Sequence, residues 1–259
     1  MKRIFLFSTL FILLGLVPAQ TAARARTIKG SGVMRTETRE AGRYTGLKVA
    51  RGVAATIVES DSEKLVVEAD EKIIGYVVTT IDKQGVLLLT IDPEIDNIRD
   101  CDVRISVPKP EVLQSLTATS GGRVTCRTVV NTPTLNVRTT SGAHAEIACE
   151  GDGCTLSATS GSEIKANLAV GRCAIEAHSG AEINVKGVAE ECKINAMSGA
   201  TCKARNLLTR RTEARASVRI TCSETLEAAA SSGGSVSYWG DCRLVGFKKN
   251  LTGSVTHKR

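Results

Sequence analysis

Cysteine thiols form disulfides, bind metal ions and act as nucleophiles, and this chain carries nine cysteines. Three of them, Cys154, Cys173 and Cys192, recur at intervals of 19 residues. Each occupies an inward position of an alternating apolar pattern, so we interpret the three as an interior ladder of free thiols that pack as small hydrophobes. The cysteines form no CxxC pair with histidines nearby, which argues against a metal site. Cys149 and Cys154 flank a glycine-containing turn and are the best candidates for a disulfide.

Glutamate side chains offer a second kind of chemistry, acid–base catalysis. Glu146, Glu163 and Glu182 fall in neighbouring repeats, with Lys165 and Lys186 nearby, and two carboxylates that face each other could cleave a glycosidic bond. The serines of the repeats have no Gly-x-Ser-x-Gly elbow and no triad partners. We therefore interpret the glutamates as a solvated charged face. The sequence predicts no catalytic residue, no cofactor and no metal ligand, and hence a protein that is not an enzyme.

A repeat in the second half of the chain positions these side chains. A Ser-Gly-small tripeptide recurs with steps of 21, 19, 19, 19 and 34 residues between its serines, and the last step equals two repeats of 17. Apolar residues stand at even offsets from each serine and polar residues at odd offsets, which predicts short strands joined at a Ser-Gly corner. Glycine at the corner permits a positive φ. The predicted structural corners are Ser120, Gly121, Ser141, Gly142, Ser160, Gly161, Ser179, Gly180, Ser198, Gly199, Ser232 and Gly233.

A unit of 19 residues cannot bury its own apolar face, but stacked coils can, and this predicts an all-β solenoid. Each rung then advances about 4.8 Å along the axis. An antiparallel β-sandwich is the alternative; it explains the alternation but not the recurrence of equivalent positions. Residues 26–112 are predicted to form a less regular β-rich portion and residues 113–259 the regular rungs. Together they are predicted to form one domain, 26–259.

The composition restricts both the core and the function. Aromatic residues make up only 3% of the chain, which fits a narrow interior filled by stacked aliphatic residues and cysteine. Few rings also means few stacking platforms of the kind that sugar-processing enzymes use. The net charge of +7 falls to +4 when residues 1–25 are removed, and the basic residues are scattered, so we predict no nucleic-acid partner.

Residues 1–25 are typical of a secretory signal peptide. Lys2 and Arg3 precede an apolar run from Ile4 to Val17, and small residues follow it. Cleavage is expected after Ala19 or after Ala25. The run is too short for a membrane span, which needs about 20 residues. The sequence therefore predicts export to the periplasm, the outer cell surface or the medium, with no transmembrane segment left after cleavage.

Several segments of the exported part match a known family. They are Gly30-Ser31-Gly32, Tyr44-Thr45-Gly46-Leu47-Lys48-Val49, Leu65-Val66-Val67-Glu68-Ala69-Asp70, Val103-Arg104-Ile105-Ser106-Val107-Pro108, the Ser-Gly-Ala rungs and Gly233-Gly234-Ser235-Val236-Ser237-Tyr238-Trp239-Gly240. Over residues 28–256 the chain resembles the putative auto-transporter adhesin, head GIN domain family. The resemblance implies a right-handed parallel β-helix in an exported protein of Gram-negative bacteria, and no catalytic motif comes with it.

These observations favour an exported, non-enzymatic envelope or surface protein that binds its partner in the manner of an adhesin. A surface glycan or an envelope protein is the expected partner, and a homo-oligomer is compatible with the pattern. Two alternatives remain at this stage. One is a carbohydrate-active enzyme, a polysaccharide lyase or hydrolase, because β-helices also host such chemistry. The other is a structural envelope protein that self-assembles through exposed coil edges.

Overall fold

A computed structural model describes residues 26–230, 234–249 and 253–259. The predicted signal peptide 1–25 and the predicted corner at Ser232 and Gly233 lie outside the described residues. The described part is nearly all β, with a short 3-10 helix at Ile74–Tyr76. Its strands are β1 (Thr27–Lys29), β2 (Met34–Glu40), β3 (Gly46–Val49), β4 (Ala54–Val58), β5 (Lys64–Asp70), β6 (Val77–Ile81), β7 (Val86–Ile91), β8 (Asn97–Arg99), β9 (Val103–Pro108), β10 (Ser115–Ala118), β11 (Arg123–Asn131), β12 (Thr134–Thr139), β13 (His144–Ala158), β14 (Glu163–Ala177), β15 (Glu182–Ala196), β16 (Thr201–Ala216), β17 (Val218–Ala230), β18 (Ser235–Trp239), β19 (Arg243–Lys249) and β20 (Ser254–His257).

The regular rungs stack in parallel and in register. β14 pairs with β15 from Glu163 opposite Glu182 to Ala177 opposite Ala196, so residues 19 apart are direct neighbours. β13 pairs with β14 in the same way. The predicted β-solenoid is confirmed, with about seven turns, and the sandwich alternative is wrong because its strands would pair antiparallel.

The N-terminal portion stacks in an order that differs from chain order. β3 and β4 form a coil that pairs with β10 and β11 on one side and with β7 and β9 on the other. β7 and β9 form the outermost parallel coil. The strands beyond it pair antiparallel: β6 with β7, β5 with β9 and β2 with β5. These antiparallel strands close the N-terminal end of the parallel stack.

Asp70 ties the start of the described chain to this end of the stack. Its carboxylate accepts hydrogen bonds from the backbone N–H groups of Ser31 (2.8 Å), Gly32 (2.8 Å) and Lys72 (2.9 Å). The N–H of Lys72, followed by those of Gly32 and Ser31, holds the pKa of the Asp70 carboxyl below its usual value. The Gly-Ser-Gly segment is therefore positioned by an ionised carboxylate.

Aliphatic ladders fill the interior of the solenoid. One of them runs through consecutive rungs as Leu116, Val137, Leu156, Ile175 and Ile194, each at most 2% exposed. Tyr44 is the buried aromatic side chain of the core, and its hydroxyl donates to the carbonyl of Pro108 at 2.5 Å. Within the described residues, no helix has the length and hydropathy to cross a membrane.

The Ser-Gly corners are turns in which two successive residues have positive φ. Ser160 (φ 56°) and Gly161 (φ 66°) are representative, and the corners at Ser120, Ser141, Ser179 and Ser198 share this geometry. Sequence reasoning assigned positive φ to the glycine alone; serine also tolerates the left-handed region because its side chain is short and polar. The corners are linked along the axis, since the N–H of Gly161 donates to the carbonyl of Ser179 at 3.1 Å.

Candidate functional site

The structure separates the three glutamates that the sequence grouped as one acidic row. Glu163 lies directly opposite Glu182, but Glu146 lies opposite Lys165 in the neighbouring column. His144, not Glu146, precedes Glu163 in the acidic column. The three carboxylates therefore do not form one row, because the register of the rungs puts Glu146 two residues further along its strand.

The two remaining carboxylates are already bound to neighbouring side chains. Glu163 contacts Nδ1 of His144 at 3.1 Å and Nζ of Lys165 at 3.2 Å. Glu182 accepts from Nζ of Lys203 and Nδ2 of Asn184, both at 2.7 Å, and these two bonds, that of Lys203 first, lower the pKa of Glu182. General acid catalysis needs a protonated carboxyl, which a lowered pKa disfavours.

Each regular rung presents two outward faces. The first face is formed by the strand segment that follows a Ser-Gly corner, and the second face by the segment that precedes the next corner. Within one strand the two segments meet at a bend, where the buried positions advance from Val170 to Cys173 instead of by two. The two faces carry different patterns of charge.

Lysine and asparagine alternate on the first face in two columns. In column one Lys165, Asn184 and Lys203 are opposite one another on successive rungs. In column two the order is reversed, with Asn167, Lys186 and Asn206 opposite one another. Each of the three rungs thus presents one lysine and one asparagine, and the lysine changes sides from rung to rung. We call this arrangement the lysine–asparagine checkerboard.

The checkerboard lines an open groove of about 600 Å³. Four cations, Lys165, Lys186, Lys203 and Arg205, line it together with one carboxylate, Glu146. Lys186 is exposed and makes no ion pair with any carboxylate of the described residues. The groove is therefore a surface of net positive charge with amide groups interspersed.

An aromatic ring lies at one end of this groove. The guanidinium of Arg205 sits 4.6 Å from the centroid of the Trp239 ring, a cation–π contact. Thr221, which lies opposite Trp239 in the next rung, donates its hydroxyl to the carbonyl of Arg205 at 2.6 Å. The bulge that brings Arg205 toward Trp239 has no signature in the repeat, so the sequence did not predict this contact.

The second face carries as many charges, but they neutralise one another. Arg211 pairs with Glu191 at 3.1 Å, and Lys193 pairs with Glu213 at 3.3 Å. Arg215 also contacts Glu213. A groove of about 570 Å³ on this face is lined by these paired residues together with Asp152, Arg172 and Glu227, so that four carboxylates and three cations line it.

The predicted interior ladder lies beneath the second face. Cys154, Cys173 and Cys192 are opposite one another on successive rungs and are 2–4% exposed. Cys154 donates a hydrogen bond to Cys149 and Cys173 donates one to Cys192; these bonds, together with burial, raise the pKa of Cys154 and of Cys173. Cys149 and Cys154 are both free thiols here, not a disulfide. The described residues contain no cluster of three or more His, Cys, Asp or Glu side chains arranged to hold a metal ion.

Parallel coils with in-register ladders define the class of β-solenoid proteins. The model of the putative auto-transporter adhesin, head GIN domain family matches residues 43–242, and the chain belongs to this family. A search of curated proteins finds no match.

Solved structures share the fold. A putative adhesin from Parabacteroides distasonis ATCC 8503 has a TM-score of 0.79 at 15% identity, covering 90% of this chain and 100% of that chain. A putative adhesin from Parabacteroides merdae ATCC 43184 has a TM-score of 0.78 at 17% identity, covering 91% and 100%. A putative lipid binding protein from Parabacteroides distasonis ATCC 8503 has a TM-score of 0.75 at 16% identity, covering 90% and 100%. At these identities the likeness shows the fold alone.

Proposed function

We propose that this protein is an exported, non-enzymatic, adhesin-like binding protein of the cell envelope. In this proposal residues 1–25 are a cleaved signal peptide and residues 26–259 form one binding domain. Its ligand is an anionic surface molecule, and the lysine–asparagine checkerboard is the binding surface. The observation that carries the proposal is the excess of cations in the groove of the first face, in contrast to the groove of the second face, where carboxylates outnumber cations.

The chemistry of the groove suits a polyanion rich in hydroxyl groups, such as an acidic polysaccharide. Each lysine offers three N–H donors to a carboxylate, and each asparagine amide can both donate to and accept from a hydroxyl. The ion pairs of Lys165 and Lys203 with edge glutamates are exposed and therefore weak, so a ligand carboxylate can share these lysines. The rungs are held by continuous backbone pairing, which keeps the groups in place before the ligand arrives.

The geometry disfavours the carbohydrate-active enzyme as an alternative. Glu163 and Glu182 are occupied by His144, Lys165, Lys203 and Asn184, and the pKa of Glu182 is lowered. A glycosidase needs one carboxyl with a raised pKa as its acid. The first face therefore supports binding without bond cleavage.

Binding is tested with the purified protein and immobilised polysaccharides. The wild-type protein is expected to bind to immobilised acidic polysaccharides and not to immobilised neutral dextran. It should be released as the ionic strength rises toward about 1 M, where the Debye length is about 3 Å. The triple substitution Lys165→Gln, Lys186→Gln and Lys203→Gln should weaken binding at least about tenfold. Lys193→Gln, which changes a paired lysine of the second face, is the matched control and should bind as the wild type.

Two results would overturn the proposal. One is unchanged binding by a folded triple variant; the other is release of new reducing ends or unsaturated sugars, which would indicate an enzyme. Export is tested separately by fractionating cells and determining the N-terminus of the mature protein. A mature chain beginning at residue 20 or 26 supports the proposed signal peptide, whereas a cytoplasmic chain beginning at Met1 contradicts it.

A further inference from the structure

The lysine–asparagine checkerboard has a symmetry that points to one class of polymer. We propose that the groove binds an extended (1→4)-linked polyuronate whose carboxylates project alternately to its two sides, with its long axis along the solenoid. This proposal rests on the proposed function and names the ligand class of the same site. The argument depends on the spacing of the rungs, the alternation of the lysines and the groups at the end of the groove.

The spacing of the rungs matches a sugar chain. Neighbouring parallel strands lie about 4.8 Å apart, so each rung advances by close to the length of one sugar in an extended polysaccharide. Three successive rungs, those of Lys165, Lys186 and Lys203, therefore accommodate three consecutive sugars. On the rungs of Lys165 and Lys186 the columns are two residues apart, about 6.7 Å, which leaves room for the ring between them. On the third rung a bulge puts Lys203 and Asn206 three residues apart.

The alternation of the lysines matches a flat ribbon with a two-fold screw axis. In such a ribbon each sugar is turned by half a turn relative to the last, so its carboxylate changes sides at every step. Lysine likewise changes sides at every rung: Lys165 is in column one, Lys186 in column two and Lys203 in column one again. An asparagine faces the opposite edge of each sugar, where the ribbon presents hydroxyl groups.

The asparagines also disfavour a ligand whose carboxylates lie opposite the asparagines instead of opposite the lysines. Asn184 donates Nδ2 to Glu182 at 2.7 Å, which leaves its carbonyl oxygen as an acceptor for a sugar hydroxyl. A ligand carboxylate at this position would face that oxygen and the ionised Glu182. Unfavourable contacts with the wrong partner contribute to specificity as much as favourable ones with the right partner.

The residues on the rung before Lys165 mark one end of the checkerboard. On the preceding rung column one carries Glu146 and column two carries Ala148, so neither column offers a cation there. Glu146 would repel a further uronate along column one. At the other end, column one continues from Lys203 to Arg219 on the next rung, so the alternation stops there. The checkerboard thus covers three rungs.

The proposal is tested by comparing polymers that carry one carboxylate per residue but differ in geometry. Polymannuronate forms a flat two-fold ribbon with alternating carboxylates, whereas polygalacturonate is a buckled chain and poly-glutamate is a flexible polyanion without sugar rings. The wild type is expected to bind polymannuronate about tenfold more tightly than the other two, the difference that one well-placed charged hydrogen bond makes.

The matched variant exchanges the two side chains of the middle rung, Asn184→Lys with Lys186→Asn. It has the composition and net charge of the wild type, but all three lysines then lie in column one. It is expected to lose the preference for polymannuronate, so that its affinities for polymannuronate and poly-glutamate become similar. Circular dichroism and the urea midpoint verify that the variant is folded, since both changes are on the outer surface.

The possible outcomes separate the two proposals. If the wild type prefers polymannuronate and the exchange variant does not, the ligand class is supported. If both proteins bind all three polyanions alike, the alternating geometry is overturned but anion binding stands. If neither binds any polyanion at low salt, both proposals are overturned.

Discussion

Ser162 and Thr139 share a hydroxyl contact inside the solenoid whose removal has a predictable cost. Their oxygens lie 2.9 Å apart, and the two residues are 1% and 0% exposed. Ser162 Oγ also donates to the carbonyl of Thr159 at 2.8 Å and accepts from its N–H at 3.1 Å. Because Oγ of Ser162 donates to that carbonyl, the Thr139 hydroxyl is the donor to Ser162.

Both residues depart from the repeat at positions where other rungs carry small apolar residues. The equivalents of Ser162 are Gly122, Ala143, Ala181 and Ala200, and those of Thr139 are Ala118, Ala158, Ala177 and Ala196. Alanine therefore fits both sites. The two departures compensate each other, since each hydroxyl supplies the other with a partner.

The expected free energies follow from which group each substitution leaves unpaired. Ser162→Ala leaves the fully buried Thr139 hydroxyl without an acceptor and should lower the free energy of unfolding by about 2 kcal/mol. Thr139→Ala leaves Ser162 bonded to Thr159, so its cost of about 1–2 kcal/mol is one hydrogen bond and a methyl group. The double variant leaves no unpaired hydroxyl, so its cost should fall short of the sum by about 1–2 kcal/mol.

Urea unfolding of the four proteins, followed by circular dichroism, measures this coupling. Ala181→Ser is the matched control: it introduces the same hydroxyl one rung on, beside the backbone of His178, where Ala158 has no hydroxyl to donate to it, so Ala158 provides no coupling. Additive effects, within about 0.5 kcal/mol, would refute the reasoning. A destabilisation by Thr139→Ala larger than that by Ser162→Ala would contradict the assignment of donor and acceptor.

Three further predictions concern backbone, charge and thiols. Gly187→Ala should lower the free energy of unfolding by about 3–5 kcal/mol, because its Cβ would lie 2.0 Å from a carbonyl oxygen of the previous rung. Gly180→Ala, in open space at φ 73°, should cost only about 1 kcal/mol in the same urea assay, and equal costs would contradict this. The stabilisation from the lowered pKa of Asp70 is complete above its unfolded pKa of about 3.9 and is lost as pH falls through the folded pKa. Asp70→Asn should therefore reduce the urea midpoint at neutral pH and flatten its acid dependence; an unchanged acid limb would refute this. Burial raises the pKa of Cys242 to about 11, so its alkylation near pH 8 should be about 100-fold slower than that of a free thiol, and mass spectrometry that finds rapid labelling would contradict this.

The repeat was predictable from the sequence because each rung is a continuous stretch of chain with its own alternating pattern. The period of two and the 19-residue recurrence identify which side chains of each rung are buried, as Ile175 and Cys173 show. The N-terminal stacking order was not predictable in this way. β3 lies between β7 and β10, which come from distant parts of the chain, and no repeated motif marks these pairings.

The candidate site could be predicted only in part. The odd offsets place Lys165 and Lys186 on the outer surface, as expected. Glu146 and Glu163 occur in neighbouring repeats but lie in different columns, because a shift of two residues along a strand moves a side chain to another column. The sequence did not predict the positive φ of the corner serines, since serine has no strong preference for the left-handed region.

The amino-acid sequence by itself determined the class of fold, because a unit that cannot bury its apolar face alone must stack on copies of itself. It also determined which residues face inward and which face outward. Only the tertiary structure decided which charges remain unpaired: Glu191 and Glu213 neutralise the cations of the second face, while Lys186 lies between two asparagines. The physical reason is that ion pairing depends on which side chains the register brings within a few ångströms, and the register belongs to the stack, not to one rung.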